Sequence, residues 1–214
     1  MSDYFAGLAA QWDENPARAA AGLAFYAEVL RECPELAGKT ALEFGCGTGS
    51  LGLRLAQAHG AHVVFVDTSP AMLAVLRGKL AAQGLTGAQA DALVHEGALT
   101  ALPERIASAG SLDVVLCGMA LHHVDDAPGA LRDFRRLLRP GGLALIGELE
   151  AEDGSFHGDR PAPHNGFAPA DLAAELKRAG FDTRPPRGFH TVTKPAADGP
   201  PREYPMFFLA AQAV

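Results

Sequence analysis

The sequence predicts an α/β fold: a largely parallel sheet, doubly wound, with helices on both faces. Three observations carry that reading. Short apolar runs rich in β-branched residues alternate with amphipathic stretches of helical period. A glycine-dense turn directly follows the first of these runs. The C-terminal part leaves the alternation and reads as a β-hairpin.

Taken in order, residues 1–35 read as mostly helical, with Phe25, Val29 and Leu30 in one stripe. Thr40–Gly45 is a short apolar run ending in glycine and predicts a buried strand. Ser50–His59 predicts a helix with Leu51, Leu55 and Ala58 on one face. Ala61–Val66 predicts the second strand. Ser69-Pro70 supplies an N-cap and a proline at the first helical position. That helix runs to about Gln83 and stops at Gly84. Ala90–His95 is a weaker third strand and Leu112–Gly118 a strong fourth. Ala127–Leu138 is a helix with Leu131, Phe134, Leu137 and Leu138 as its apolar stripe; Arg132, Arg135 and Arg136 read as its solvated face. Pro140-Gly141-Gly142 predicts a turn and Leu143–Glu148 the fifth strand. Pro169–Ala179 is a further helix, ended by Gly180. Gly188–Lys194 alternates, with Phe189 and His190 on opposite faces. Ala197-Asp198-Gly199 marks a turn and Glu203–Ala211 returns, which inserts one antiparallel strand at the end.

The 214 residues make one domain: a helical cap (1–37), a core (38–150), a lid loop (151–168) and a C-terminal helix and hairpin (169–214). The loop combines Gly, His, Pro and Asp without a period and follows a strand end, where function concentrates. With 48% apolar residues the chain can bury a large core, and 20% charged residues do not signal disorder. A net charge of -7 argues against nucleic acid as a partner, because Lys and Arg are not in excess. No apolar run is long enough for membrane insertion, and Met1-Ser2-Asp3-Tyr4 does not resemble a secretory leader. Cys33, Cys46 and Cys117, odd in number and far apart, read as reduced thiols, so the expected location is cytoplasmic.

The sharpest signal is Glu43-Phe44-Gly45-Cys46-Gly47-Thr48-Gly49. Glycines at alternate positions after a strand permit a tight turn and close approach of a ligand. The helix that begins near Ser50 aims its free N–H groups at the same place. Gly47-Thr48-Gly49-Ser50-Leu51-Gly52 matches the dinucleotide pattern G-x-G-x-x-G. Its phase is off, however, since the first glycine after the strand is Gly45. Glu43 would also repel a pyrophosphate and attract an ammonium or sulfonium. Asp67, ending the second strand, is placed to accept hydrogen bonds from ribose hydroxyls.

On these residues the sequence resembles the class I S-adenosylmethionine-dependent methyltransferases, in the small-molecule branch that includes quinone-biosynthesis enzymes. Glu43–Gly49 is similar to that family's first motif, and Asp67 to its ribose-binding acid. Leu112-Asp113-Val114-Val115 resembles the opening of its fourth strand, Ala120-Leu121-His122-His123-Val124 the segment after it, and Leu137-Leu138-Arg139-Pro140-Gly141-Gly142 the turn before strand five. Trp12-Asp13 resembles an N-terminal segment of some members. The resemblance covers roughly residues 38–150. It implies a Rossmann-like sheet of seven strands, mostly parallel, with an antiparallel C-terminal hairpin strand. It implies S-adenosyl-L-methionine as cofactor, held by Glu43, Gly45, Cys46, Gly47, Gly49, Asp67, Thr68, Met72, Glu96, Gly97, Ala98 and Cys117. The adenine contact after strand three is open between Asp91, which has the family's usual distance from Asp67, and Glu96-Gly97-Ala98, which sits better before the next strand.

The implied reaction is in-line transfer of a methyl group to a small acceptor, in which the enzyme supplies proximity and alignment. A general base is required only where the acceptor loses a proton. His122, His123 and Glu148 are the catalytic candidates, with Glu150, His157 and His164 near the same mouth. Tyr4, Phe5, Trp12, Phe156 and Phe167 point to an apolar or aromatic acceptor. No compact metal-ligand spacing such as H-x-x-x-H occurs, so no metal site is expected. The competing readings are an NAD(P)-dependent oxidoreductase using the glycine loop, against which stands the lack of a Tyr-x-x-x-Lys pair, and a non-catalytic S-adenosylmethionine-binding protein.

Overall fold

The computed structural model describes residues 2–85, 87–160, 162–195 and 199–214, with side chains from Phe5 onward. Tyr4's side chain, and Ala197 and Asp198 of the expected turn, lie outside the described residues. The chain opens with α1 (Ser2–Leu8), a 3-10 stretch (Ala9–Glu14) and α2 (Pro16–Glu32). The βα alternation follows: β1 (Thr40–Phe44), α3 (Ser50–His59), β2 (His62–Asp67), α4 (Pro70–Ala82), α5 (Ala88–Asp91), β3 (Val94–Glu96), β4 (Leu112–Gly118), α6 (Ala127–Leu137) and β5 (Leu138–Leu149). Then come α7 (Pro169–Arg178), β6 (Phe181–Thr183), β7 (Arg187–Lys194) and β8 (Arg202–Ala213).

The sheet order is β3-β2-β1-β4-β5-β8-β6, with β7 paired to β8. β1 to β5 run parallel, whereas β8 is antiparallel to β5, β6 and β7. The connections reverse direction between β1 and β4, which opens a crevice beyond their C-terminal ends. One face of the sheet packs against α6 and α7 through Leu131, Phe134, Leu137, Leu172 and Leu176. The other packs against α2, α3 and α4 through Phe25, Val29, Leu53, Leu55, Leu73 and Leu76. Phe25 lies where a Cβ on Gly118 or Gly147 would meet it at 2.9 and 2.6 Å, so two small residues in adjacent strands make room for one ring.

Five sequence expectations need correction. The third strand is shorter than Ala90–His95, because Ala88–Asp91 forms the helical turn α5 and only Val94–Glu96 pairs with β2. Pro140-Gly141-Gly142 lies within β5 as an irregularity, the register jumping from Leu112↔Leu138 to Val114↔Leu143. The sheet has eight strands; β6, three residues long, is too short to show a period. In α3 the buried face is Gly52, Leu53 and Leu55 while Ala58 is exposed, because the helix comes down on Val63 and Phe65. Finally, Arg135 and Arg136 are not only solvated: Arg135 Nε donates to the Gly180 carbonyl (3.1 Å), and Arg136 reaches Asp133 and the Leu99 carbonyl.

Candidate functional site

The strand ends at the crevice place two groups of residues side by side. The first is the glycine loop. Gly45, Gly47 and Gly49 all have positive φ (65°, 53° and 73°), where a side chain is strained. Gly45 and Gly49 are also enclosed: a Cβ would meet Ala120 Cβ at 2.3 Å in the first case and Leu76 Cδ1 at 2.4 Å in the second. Gly47 is open, with only Trp12 Nε1 within reach, at 3.8 Å. The Gly47 N–H donates to Asp67 Oδ2 (2.7 Å) and the Ser69 N–H to Asp67 Oδ1 (2.8 Å). Asp67 is half-buried at the rim. Burial raises its pKa against the lowering by the Ser69, Gly47 and Thr68 amides.

Glu43 sits differently from the sequence expectation of a charge facing the ligand. Its carboxyl turns under the start of α3, 7% exposed, and accepts from the Gly52 N–H (3.0 Å). Burial pushes its pKa up to about 8, with the Gly52 hydrogen bond and Lys79 opposing and Asp67 reinforcing. At neutral pH it is therefore largely an uncharged fastener between β1 and α3. Cys46 and Cys117 are buried with thiols held well above their usual range by desolvation first, then by neighbouring carboxylates. Met72 is 2% exposed, its N–H capped by Ser69 Oγ, and Thr68 is exposed. Glu96 and Ala98 are exposed at the end of β3, and the Gly97 N–H donates to the Asp67 carbonyl (2.9 Å). Asp91 lies before β3, exposed and paired with Arg77, and so stands at the opposite end of that strand from the crevice.

Sequence reasoning missed the clamp over this loop. Asp13 accepts from Thr48 Oγ1 (2.7 Å) and Ser50 Oγ (2.8 Å) and pairs with Lys79 Nζ (2.7 Å). Lys79 also donates to the Thr48 carbonyl (2.9 Å). Burial alone would raise the Asp13 pKa; the Lys79, Thr48 and Ser50 contacts outweigh it and hold the group below its ordinary value. Only the Trp12-Asp13 resemblance hinted at this, since contacts between residues this far apart along the chain leave no local period.

The second group lies past β4 and β5. Met119, directly after β4, is the only non-glycine residue with positive φ (54°) among the described residues. That turn starts the segment carrying His122 and His123. Glu148, fully buried, accepts from the Leu121 N–H (2.8 Å), the Leu149 N–H (2.9 Å) and His122 Nδ1 (2.8 Å). Taking Nδ1 as the protonated nitrogen leaves a lone pair on Nε2. The loop of residues 151–168 brings His157 to the same place, its ring centroid 5.1 Å from both His122 and His123. Desolvation, and then the neighbouring histidines, lower the pKa of His123 to about 3. Desolvation, then His122 and Lys194, lower that of His157 to about 4. Both are neutral imidazoles at pH 7. Phe5 meets His123 edge-on (5.3 Å), and Phe156 packs against His157 (5.0 Å). Glu150 forms a bridge with Phe167, and His164 Nε2 lies 3.0 Å from the Val124 carbonyl, so these two tie the 151–168 loop to its surroundings.

With this geometry in view, the comparisons with known proteins are consistent. The profile of a methyltransferase domain matches residues 42–144. A ubiquinone biosynthesis O-methyltransferase of Bordetella avium is 28% identical over 207 residues, covering 87% of this chain and 81% of that protein. One from Pseudomonas paraeruginosa is 36% identical over 114 residues, 53% of this chain and 46% of that protein. For most such relatives the match spans about half of their length. Among solved structures, a SAM-dependent methyltransferase from Aquifex aeolicus superimposes with a TM-score of 0.66 at 19% identity, covering 98% of each chain. Phosphoethanolamine N-methyltransferase 2 of Haemonchus contortus, bound to S-adenosyl-L-methionine, gives 0.67 at 18% identity, covering 88% of this chain and 52% of that one. At such identities the structures show the fold.

The fold and the matched domain point to one class: residues 42–144 are similar to a methyltransferase domain, and the chain has the fold of S-adenosylmethionine-dependent methyltransferases, whose cofactor is S-adenosyl-L-methionine. Within that class its curated relatives are the ubiquinone biosynthesis O-methyltransferases. Neither competing reading, the dinucleotide oxidoreductase or the binding-only protein, finds support among these matches.

Proposed function

We propose that this protein transfers the methyl group of S-adenosylmethionine to a small-molecule acceptor by in-line displacement. The observation that carries the reading is the juxtaposition at one crevice of the glycine loop with Asp67 and, past β4 and β5, the His122–Glu148 pair. The open face of Gly47 and the carboxylate of Asp67 take the nucleoside, with Gly45, Cys46, Gly49 and Thr68 shaping the loop side. Glu96, Gly97 and Ala98 at the end of β3 take the adenine, over buried Met72 and Cys117. Glu43 holds the loop to α3 from beneath. His122, His123 and Glu148 stand on the acceptor side. Glu148 fixes the His122 ring, so Nε2 offers a lone pair to an acceptor hydroxyl that must lose its proton.

Phe5, Trp12, Phe156 and the imidazoles of His123 and His157 wall this side, which favours an apolar or aromatic acceptor. Among the described residues no helix is long and apolar enough to cross a membrane, and the three cysteines are free and buried. We place the protein in the cytoplasm on the second of these facts. The test is calorimetric titration with S-adenosylhomocysteine, followed by product analysis with a labelled methyl donor and a panel of small hydroxylated aromatics. One bound molecule per chain, with label moving to an acceptor, is the expected result. Folded protein that binds no S-adenosylhomocysteine overturns the reading.

A further inference from the structure

His122, His123 and His157 come from two separate segments, one after β4 and the other in the lid loop. One ring nitrogen from each lies within 4.8 Å of the others. Five buried side-chain polar atoms lack a hydrogen-bond partner among the described residues, and three are in this cluster: His122 Nε2, His123 Nδ1 and His157 Nε2. Buried polar groups are nearly always partnered, so such a concentration at one point calls for a missing ligand. The His122 side chain is 1% exposed and its other nitrogen is held by Glu148, itself 0% exposed. A ring oriented by a carboxylate behind it, with a free nitrogen in front, is the usual arrangement of a metal-ligating histidine.

We infer that His122, His123 and His157 form a binding site for one divalent transition-metal ion of the zinc class, with an open coordination position toward the acceptor. Three imidazoles select a borderline-soft ion over magnesium or calcium, which require oxygen ligands. A tetrahedral zinc ion with bonds of ~2.0–2.1 Å sets its nitrogens about 3.3 Å apart, so the cluster needs to contract by no more than roughly 1.5 Å. His157 comes to the cluster from the 151–168 loop. That loop is anchored nearby by Lys194 Nζ on the Phe156 carbonyl (2.6 Å) and by Ser155 Oγ with Tyr204 OH (3.0 Å). The inference departs from the sequence expectation of no metal, which looked for ligands at short spacing along the chain. It rests on the methyl-transfer reading for its consequence. With the ion bound, His122 Nε2 is a ligand and no longer the base, and an acceptor hydroxyl oxygen in the open position releases its proton to solvent more readily. The resulting oxyanion then attacks the methyl carbon as the S–CH3 bond breaks to leave the neutral thioether.

The test strips the full-length protein with a chelator, dialyses it and titrates it with Co2+ alone, reading visible d–d absorption. S-adenosylhomocysteine binding is measured on the same samples. Saturation at one ion per chain is expected, with roughly tenfold or greater weakening in His157→Ala and in His123→Ala. The control His62→Ala, at an exposed position on β2, keeps wild-type affinity. Circular dichroism checks each fold, and His157→Asn replaces any variant that does not fold. No cobalt spectrum in protein that still binds S-adenosylhomocysteine overturns the metal site alone. A spectrum that survives both substitutions overturns the assignment of ligands. Loss of S-adenosylhomocysteine binding in the wild type instead strikes the methyl-transfer reading.

Discussion

The two halves of the crevice are built in opposite ways. The glycine loop is one contiguous segment whose contacts are largely backbone: amides of Gly47 and Ser69 on Asp67, and of Gly52 on Glu43. The histidine corner is assembled from β5, the turn after β4 and the 151–168 loop, and a buried carboxylate, Glu148, gathers the Leu121 and Leu149 amides and the His122 ring from two of them. On the loop side nearly every polar group is satisfied by the protein. In the histidine corner three ring nitrogens are not. The first half is thus a loop whose own polar groups hold its shape. The second is a set of donors held apart at some cost in unpaired buried groups.

The largest effect falls on the corner's anchor. Glu148→Ala removes the acceptor of three backbone amides, those of Leu121, His122 and Leu149, and of His122 Nδ1, and a loss of about 3–5 kcal/mol is expected in chemical denaturation. A loss below that of an ordinary surface substitution would show that the corner is not organised by Glu148. Next come the glycines, which separate packing from ligand space. Gly45→Ala drives a Cβ into Ala120 and is expected to cost about 2–4 kcal/mol, combining overpacking with the left-handed backbone. Gly47→Ala meets no close atom and should cost only about 1 kcal/mol of stability. It should nonetheless abolish most S-adenosylhomocysteine affinity in calorimetry. Equal stability losses at the two positions would erase the distinction.

Asp67→Asn sets an NH2 against one of the two amides its carboxylate accepts from, and is expected to weaken S-adenosylhomocysteine binding by about 1–3 kcal/mol with a modest fall in melting temperature. Unchanged affinity removes Asp67 from the site. The last effect is a slope rather than a single loss. Glu43 has a folded pKa near 8 against 4.5 as a free side chain, so between these values the folded state holds a proton that the unfolded chain has lost. Its contribution to stability therefore falls as pH rises through that window. In Glu43→Gln this term vanishes, so the variant should gain on the wild type in melting temperature from pH 5 to pH 8. A constant difference across that range would mean Glu43 is ionised in the fold.

Some of this architecture was legible early and some was not. β4 occupies the expected Leu112–Gly118, and α3 spans Ser50–His59, because apolar period and glycine stops are properties of neighbours along the chain. β6 and the bulge within β5 were not legible, since three residues carry no period and a register jump depends on the partner strand. Likewise the Ser69 cap could be read from Ser69-Pro70, whereas the Asp13–Lys79 clamp could not. The inward turn of Glu43 escaped for the same reason. Its orientation depends on Gly52 arriving above it in the next helix, where a Cβ would stand 2.6 Å from Oε2.

The amino-acid order decided where the strands and helices begin, that three glycines must follow β1, and that acidic groups punctuate the ends of β1 and β2. Each is a local matter, a backbone torsion, a cap or an alternation, settled by a few adjacent residues. Folding decided which histidines meet. His122 and His157 are brought together only because the lid crosses the end of β4 on its way from β5 to α7. Glu148 reaches both neighbouring amides only because β4 and β5 pair in register at Gly118↔Gly147. Side-chain chemistry that depends on convergence across a sheet has no periodic trace in the chain, so the glycine loop was readable and the histidine corner had to be seen.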